Sequence, residues 1–453
     1  MGAVLNQENF AKIFKAYDIR GLVGEELTPA LVHDVGRALA DFLPVAGAVA
    51  VGYDMRSDSQ VLAQALRAGL TTQGGDVLDL GQVTSDMVYF AVGKLHLAGG
   101  AVVTASHNPG KDNGLKLYRD GVRAVGLASG LDQIRDAVLA GRFQPPAESP
   151  GKITTHDMTD AWVDHCLSFV TSPLKPFHLA IDAGNGMAGA ILPHILPKLP
   201  IQVEEMYFEP DGTFPNHEAN PQKIENLHDL IQTVHHKKLD FGIAFDGDGD
   251  RAVFVDNLGR VVLGSDLMTI MARHYLNRYP GATIIHDLRI SHSTLALIER
   301  WGGQPVRTRV GRVFIGAKMR ELRAPFGGEL SGHFFFQENY DADSGLIAAL
   351  VAMVALSESG QRLSDLVDGY QLFVMSPEIN LPVDNIPAVL DQLRHKFAGA
   401  KQDELDGLTV TFPDKWFNIR PSNTEPLMRL TAEAKDQASL DALIGSVQEV
   451  IKH

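Results

Sequence analysis

The sequence predicts three tandem α/β domains of similar topology with mixed sheets, followed by a smaller α+β domain. Three observations carry this expectation. A strand-helix-strand-helix-strand unit recurs three times along the first two thirds of the chain, each copy ends in an unusual polar or glycine-rich loop, and the pattern changes beyond about residue 370. Linker-like and turn-like stretches give boundaries at 1–150, 151–256, 257–370 and 371–453.

The opening strands are Val49-Ala-Val-Gly-Tyr-Asp54, Leu179-Ala-Ile-Asp182 and Ala282-Thr-Ile-Ile-His-Asp287, each followed by a polar or glycine-rich loop and a helix-like stretch. Second strands follow at Asp76–Gly81, Ile201–Tyr207 and Pro305–Val310. The third strands run into Ala101-Val-Val-Thr-Ala-Ser-His-Asn-Pro109, Phe241-Gly-Ile-Ala-Phe-Asp-Gly-Asp-Gly-Asp-Arg251 and Phe326-Gly-Gly-Glu-Leu-Ser-Gly-His333. Strands separated by helices imply parallel or mixed sheets, whose ligands gather beyond the carboxyl ends of the strands, where these loops fall. Gln144-Pro-Pro-Ala-Glu-Ser-Pro-Gly151 reads as a linker and Asp256-Asn-Leu-Gly259 as a turn. From Glu378 onward, strand-like runs alternate with helical stretches at 386–397 and 439–451, and one loop stands out, Arg420-Pro-Ser-Asn-Thr-Glu-Pro426.

Composition narrows the function classes. The 453-residue chain carries 40 Lys+Arg against 55 Asp+Glu, a net charge of −15, with 45% hydrophobic and 7% aromatic residues, an ordinary globular balance. Its single cysteine, Cys166, excludes an intramolecular disulfide, a cysteine-ligated zinc site and an iron–sulfur cluster, and fits a reducing, cytoplasmic setting. The first ten residues lack the basic start and apolar segment of a signal peptide, and Asn6 departs from the myristoylation pattern, so secretion is not expected. The longest apolar run, Gly345–Leu356, falls short of the about 20 residues of a membrane span and reads as a buried helix. A net negative chain with no dense Lys/Arg run suits neither nucleic acid nor an anionic surface, so small-molecule partners are expected, and an anionic one must meet a local positive cluster.

Each loop has a bland reading beside its chemical one. Ser106 sits in a small-residue turn that Asn108-Pro109 forces out of regular structure; the Gly-x-Ser-x-Gly of an α/β serine hydrolase is absent, so Ser106 and His107 alone do not specify nucleophilic catalysis. In Asp246-Gly-Asp-Gly-Asp-Arg251, carboxylates at i, i+2 and i+4 on an extended loop point the same way, and their repulsion calls for a cation. Three such ligands plus a phosphate oxygen suit Mg²⁺, with Arg251 beside it for charge on a transferring phosphoryl group. A rival reading exists, since a strand ending in Asp-x-Asp also resembles the haloacid-dehalogenase phosphatases, with Asp246 as nucleophile; that pattern expects Thr or Val where Asp250 stands. A second rival is Gly184-Asn-Gly-Met-Ala-Gly189, a G-x-G-x-x-G match with Glu204 and Glu205 about 20 residues on, though Pro193 meets the expected helix early and the acidic pair lies inside the next strand. Gly328-Glu-Leu-Ser-Gly-His333 offers a carboxylate, a hydroxyl and an imidazole suited to sugar hydroxyls. The Arg420–Pro426 loop, with Arg429 nearby, is either a phosphate cradle or a polar hairpin.

Taken together and in order, these loops resemble those of the α-D-phosphohexomutase superfamily, in its bacterial phosphomannomutase/phosphoglucomutase branch. The likeness spans essentially the whole chain and includes Phe14-Lys-Ala-Tyr-Asp-Ile-Arg-Gly21 and Asn113-Gly-Leu-Lys116. It implies four domains around a central cleft, each giving one loop. Ser106, phosphorylated at rest, would pass its phosphoryl group to a hexose monophosphate and receive the other phosphate back from a bound hexose 1,6-bisphosphate, which also serves as activator. Mannose 1-phosphate and mannose 6-phosphate are the implied substrates, with the glucose pair beside them. By the same resemblance, Asp246, Asp248, Asp250 and the Ser106 phosphate hold Mg²⁺, and Glu329 and Ser331 hold sugar hydroxyls. Arg420, Ser422, Asn423, Thr424 and Arg429 hold the idle phosphate, with Tyr17 and Arg289 in the substrate-binding set. Arg20, His107, Lys116, Arg251 and His333 are the proton-transfer and electrostatic candidates. The glucosamine branch usually has Gln where this chain has Leu330, and several phosphomannomutases have His where it has Arg312. A phosphoglucosamine mutase and a non-catalytic sugar-phosphate-binding protein remain the alternatives.

Overall fold

The computed structural model describes residues 12–43, 47–421 and 427–451. They divide into two compact units, one holding the chain as far as Leu263 together with Ser331–Ser364, the other Gly264–Leu330 and the chain from Asp365. In the first sheet Val49–Tyr53 runs parallel to Val77–Gln82 on one side and Gly99–Val103 on the other. Asp112–Arg119 continues it antiparallel beyond Gly99–Val103, and Ile19–Leu22 pairs antiparallel with Asp112–Arg119. The second sheet repeats that order: His178–Asp182 lies between Gln202–Met206 and Phe241–Phe245, with Ala252–Asp256 antiparallel beyond the latter. In the other unit, Thr283–Asp287 lies between Gln304–Thr308 and Phe326–Gly328, again all parallel. The repeat in the sequence is thus a repeat of topology.

Burial explains why it was visible. Gly99–Val103 and Phe241–Phe245 are buried at every position, as parallel strands covered on both faces must be, and so read as unbroken apolar runs. The 144–151 stretch leads to Ile153–Thr155, which pairs parallel with Val77–Gln82 at the edge of the first sheet. The apolar run from Gly345 forms the helix Gly345–Ser359, started by Ser344, whose hydroxyl accepts from Ile347 N at 3.1 Å; every residue from Gly345 to Leu356 is buried. Among the described residues no single helix is long and apolar enough to cross a membrane.

The C-terminal region is an antiparallel sheet with two helices. Lys415–Pro421 lies between Leu408–Thr411 and Leu427–Ala434. The helices Ile386–Lys396, capped by Asn385 on Ala388 N at 3.1 Å, and Gln437–Ile451 bring Leu393, Leu440, Leu443 and Val447 into one core with Phe417, Ile419 and Leu430. Within the same unit, buried Glu433 accepts from His292 N at 2.9 Å and Trp416 Nε1 at 2.6 Å, so the sheet is tied to the helix His292–Arg300.

Candidate active site

Gly99–Val103 delivers the chain into Thr104–Pro109. Ser106 adopts φ 54°, a left-handed conformation that costs a residue with a β-carbon about 1–2 kcal/mol and persists only where its surroundings impose it. Two arginines impose it here. Arg56, 3% exposed, donates from one terminal nitrogen to the carbonyls of Pro109 (2.7 Å) and Asp112 (3.0 Å), and from the other to those of Ser106 (2.9 Å) and Asn108 (2.7 Å). Arg20 donates to Ala105 O at 2.8 Å and Asn108 Oδ1 at 2.6 Å. Ser106 Oγ then donates to Asp246 Oδ2 at 2.9 Å and lies 3.2 Å from His107 Nδ1. Burial, with Arg251 and Arg20 close by, pushes His107 well below the usual histidine range, so the ring is neutral.

Phe241–Phe245 brings the acidic loop to the same place. Asp246, Asp248 and Asp250 are fully buried, with ligand atoms within 4.8 Å of one another. Gly247 permits the approach, because a β-carbon there would stand 2.5 Å from Ser106 O. Lys116, on the strand Asp112–Arg119, sets its ammonium 2.5 Å from Asp248 Oδ2 and also against Asp250 Oδ2, and Arg251 Nε lies 3.5 Å from Asp246 Oδ2. Three carboxylates thus face two cationic side chains, leaving one negative charge in excess. Burial, then the charges of Asp250 and Asp248, push Asp246 up to about 7. Burial acts on Asp250 in the same sense, but Lys116, His333 and Arg251 hold it well below the carboxylate range. Asp248 Oδ1 is buried without a hydrogen-bond partner among the described residues. An all-oxygen, net negative donor set with an orphaned acceptor fits a hard divalent cation.

His333 and Ser331 belong to the unit that holds this loop. His333 Nε2 accepts from Arg251 Nε at 3.1 Å and faces Asp250 Oδ1 at 3.4 Å, while its Nδ1 lies 3.1 Å from Ser331 Oγ. Tyr17 is half-buried just before the strand that carries Arg20. In the other unit, buried Glu329 accepts from Gly311 N at 2.5 Å, and the next residue, Leu330, donates its N–H to Asp287 Oδ2 at 3.0 Å. Arg312 opens the helix Arg312–Leu322. Arg289, Arg420 and Arg429 all converge on one carboxylate, Glu378. Burial works against ionisation of Glu378, yet the three guanidinium groups hold it down to about 2. Ser422, Asn423 and Thr424 lie outside the described residues, as does the N-terminal segment before residue 12.

Both rival readings meet obstacles in this geometry. Asp246 is committed on both oxygens, Oδ2 to Ser106 and Oδ1 to Arg251 N at 3.2 Å, unlike a free nucleophile. The glycine loop does open a helix, Ala188–Ile195, which accommodates Pro193 near its end. Yet the space that a pyrophosphate would need is filled by protein: a β-carbon at Gly186 would meet Gly247 O at 2.8 Å, and Met187 N donates to that carbonyl at 2.9 Å. The dinucleotide-like motif buttresses the acidic loop, and Glu204 is spent on Lys237 and His178.

Sequence reasoning missed several positioning residues. Arg56 is one, although the repeat held a signal for it: Asp54-Met-Arg56 and Asp287-Leu-Arg289 follow equivalent strands, and each aspartate accepts its arginine's backbone N–H, at 3.0 and 2.6 Å. Ser85 is another, donating through its hydroxyl to Asp248 Oδ2 and through its N–H to Asp248 O at 3.1 Å. The adjacent Asp86, pushed up to about 8 by burial, accepts from Ser344 Oγ at 2.5 Å and from Thr84 Oγ1.

Comparison with known proteins accounts for this arrangement. Residues 11–143, 160–259 and 263–373 match phosphoglucomutase/phosphomannomutase alpha/beta/alpha domains I, II and III, and residues 378–450 match the C-terminal domain of that family. The chain is similar to the phosphohexose mutases of Xanthomonas campestris pv. campestris, 41% identical over 94% of this chain and 96% of theirs. It is similar also to the phosphomannomutase of Salmonella montevideo, 38% identical over 94% and 96%. The crystal structure of a phosphoglucomutase/phosphomannomutase family protein from Burkholderia thailandensis superposes with a TM-score of 0.89 over 97% of both chains at 33% identity. With all four family domains in order and identity at this level over nearly the whole length, the chain belongs to the phosphoglucomutase/phosphomannomutase family.

Proposed function

We propose that this phosphohexomutase interconverts the 1- and 6-phosphates of mannose, and those of glucose, through a phosphoserine at Ser106 and a bound hexose 1,6-bisphosphate. The observation that carries the reading is the convergence of Ser106 Oγ on Asp246 at 2.9 Å within a buried triad of aspartates. The family's description, phosphoglucomutase/phosphomannomutase, and the phosphomannomutase relative support the two sugars. One loop falls to each of four domains, 1–150, 151–256, 257–370 and 371–453.

In the transfer step the bond between Ser106 Oγ and phosphorus breaks as a hexose hydroxyl oxygen bonds to that phosphorus, and the hydroxyl proton leaves to a base. Such a step needs positioning and charge neutralisation more than covalent help. His333, whose Nε2 accepts from Arg251 Nε, is the candidate base; Lys116, ion-paired with two aspartates, is the counter-charge. Arg20 and His107 hold and flank the serine loop, and Arg251 faces the transferring group. Glu329 and Ser331 are the sugar-hydroxyl candidates, and Tyr17 is a further candidate for substrate contact. Arg289, Arg420 and Arg429, with Ser422, Asn423 and Thr424, are the phosphate-holding set. Asp246, Asp248 and Asp250 would hold Mg²⁺, whose charge stabilises the phosphoryl oxygens.

Metal and proton compete for this triad. Because Asp246 in the metal-free fold rises to about 7 from the ordinary carboxylate value, stability of the metal-free protein falls as pH rises through that interval, by at most about 1.4 kcal/mol per unit. Mg²⁺ must displace the proton, so its stabilising effect grows from pH 6 to pH 8. Thermal melts with and without Mg²⁺ check this: the Mg²⁺-induced rise in Tm is expected to be larger at pH 8, and a shift independent of pH would contradict it.

Steady-state turnover of mannose 1-phosphate, glucose 1-phosphate and glucosamine 1-phosphate, with Mg²⁺ and a trace of hexose 1,6-bisphosphate, tests the function. Bisphosphate-dependent isomerisation of the first two without release of inorganic phosphate is expected. Preference for the glucosamine ester would move the chain to the glucosamine branch.

A further inference from the structure

We propose that Glu378 sets the charge of the arginine cluster around Arg420, weakening its hold on a phosphoryl group so that a bound sugar phosphate can turn or leave. This rests on the reading of that cluster as a phosphate site. Glu378 directly precedes the strand Ile379–Pro382, which pairs with Leu427–Ala434 and sets Asn380 opposite Arg429. Its Oε2 accepts from terminal nitrogens of Arg289 and Arg420, each at 3.0 Å, and its Oε1 from Arg429 at 3.2 Å. Arg289 and Arg420 are each 4% exposed, so their charges are poorly screened by salt.

Charge arithmetic gives the carboxylate its purpose. Three guanidinium groups against two carboxylates, Glu378 and the Asp287 that pairs with Arg289, leave one positive charge, and a phosphate monoester carries about −1.5 to −2 at neutral pH. The occupied cluster therefore keeps a net negative charge, and the phosphoryl group is only partly compensated. Without the Glu378 carboxylate the cluster would carry two positive charges, matching the negative charge of the phosphoryl group in a poorly solvated place, and the group would be held more tightly. Glu378 does not exhaust the donors, because Arg420 gives it one of five N–H groups and Arg420 Nε is buried without a partner among the described residues. Arg289 is fixed independently by Asp287, which takes its Nε at 3.2 Å and a terminal nitrogen at 2.7 Å. The guanidinium of Arg289 thus stays in place when Glu378 loses its charge.

A merely bracing carboxylate and a charge-setting one predict opposite results for Glu378→Gln, which keeps the shape and removes the charge. Inorganic phosphate binding to the unphosphorylated protein is measured by calorimetry, and steady-state kinetics with hexose 1-phosphate accompany it. Charge-setting predicts a Kd for phosphate lower by about tenfold, with KM and kcat both reduced because the tightly held ester is slow to turn and leave. Glu378→Ala, which removes charge and side chain together, is expected to tighten phosphate as well, and Glu378→Asp to bind as the unmodified protein does. Weaker or unchanged phosphate binding in both charge-removing variants, or a raised KM with unaltered kcat, would overturn the inference in favour of a brace. Arg420→Ala separates this from failure of the site itself: it should lose phosphate affinity, and unchanged affinity would show that phosphate binds elsewhere, overturning the phosphate-site reading and the inference with it.

Discussion

Ser106→Ala is expected to turn over hexose phosphates at least about 10⁴-fold more slowly while remaining folded, because in the proposed mechanism it removes the oxygen that receives and returns the phosphoryl group. The fold should tolerate the change. Ser106 already occupies left-handed backbone space, where alanine is no more strained than serine, and the clasp on the loop runs through carbonyls that the substitution leaves alone. The loss should appear in kcat, with binding at the proposed arginine phosphate site preserved. The expectation also discriminates between mechanisms. If Asp246 were the covalent nucleophile, Ser106→Ala would keep substantial phosphoryl transfer and release inorganic phosphate; the commitment of both Asp246 oxygens to Ser106 and Arg251 argues against that outcome.

Arg56→Met should produce the second largest effect, by a different route. Arg56 touches no reacting atom, but its removal leaves the carbonyls of Ser106, Asn108, Pro109 and Asp112 without their shared donor. It also strands Asp54, which burial already pushes above the ordinary carboxylate value and which Arg56 Nε meets at 3.2 Å. Breaking one partner of a buried pair costs about 3–5 kcal/mol, and misplacing a reacting group by about 1 Å costs about 10²-fold in rate. A fall in Tm together with a kcat loss of that order is therefore expected. Arg56→Lys, which keeps the charge but not the planar fork, should recover stability more than rate. Wild-type kcat in Arg56→Met would show that the serine loop holds its shape unaided.

What was legible in the sequence follows from where the information sits. The repeat showed itself because parallel strands buried on both faces leave continuous apolar runs, and because Asp246, Asp248 and Asp250 occupy one short loop. Ser85 and Asp86 left no such trace, and Arg56 only its place after a repeated strand, since their partners are remote: Arg56 reaches a carbonyl 50 positions away, Ser85 a carboxylate 163 away, and Asp86 a hydroxyl 258 away. A backbone carbonyl also has no side-chain signature. Glu378 was hidden for the opposite reason, as a single carboxylate before an ordinary strand becomes distinctive only when three arginines close on it. Gly184–Gly189 offered a rival reading for a physical reason, because close approach of backbone to backbone demands glycine just as close approach to a pyrophosphate does.

The most direct test of the central claim is to incubate the protein with ³²P-labelled glucose 1,6-bisphosphate, map the labelled residue, and chase with unlabelled hexose 1-phosphate. Acid-stable label on the peptide containing Ser106, returned to sugar bisphosphate by the chase, is the predicted result. A hydroxylamine-labile label on Asp246, or release of inorganic phosphate with no labelled protein, would contradict the phosphoserine account.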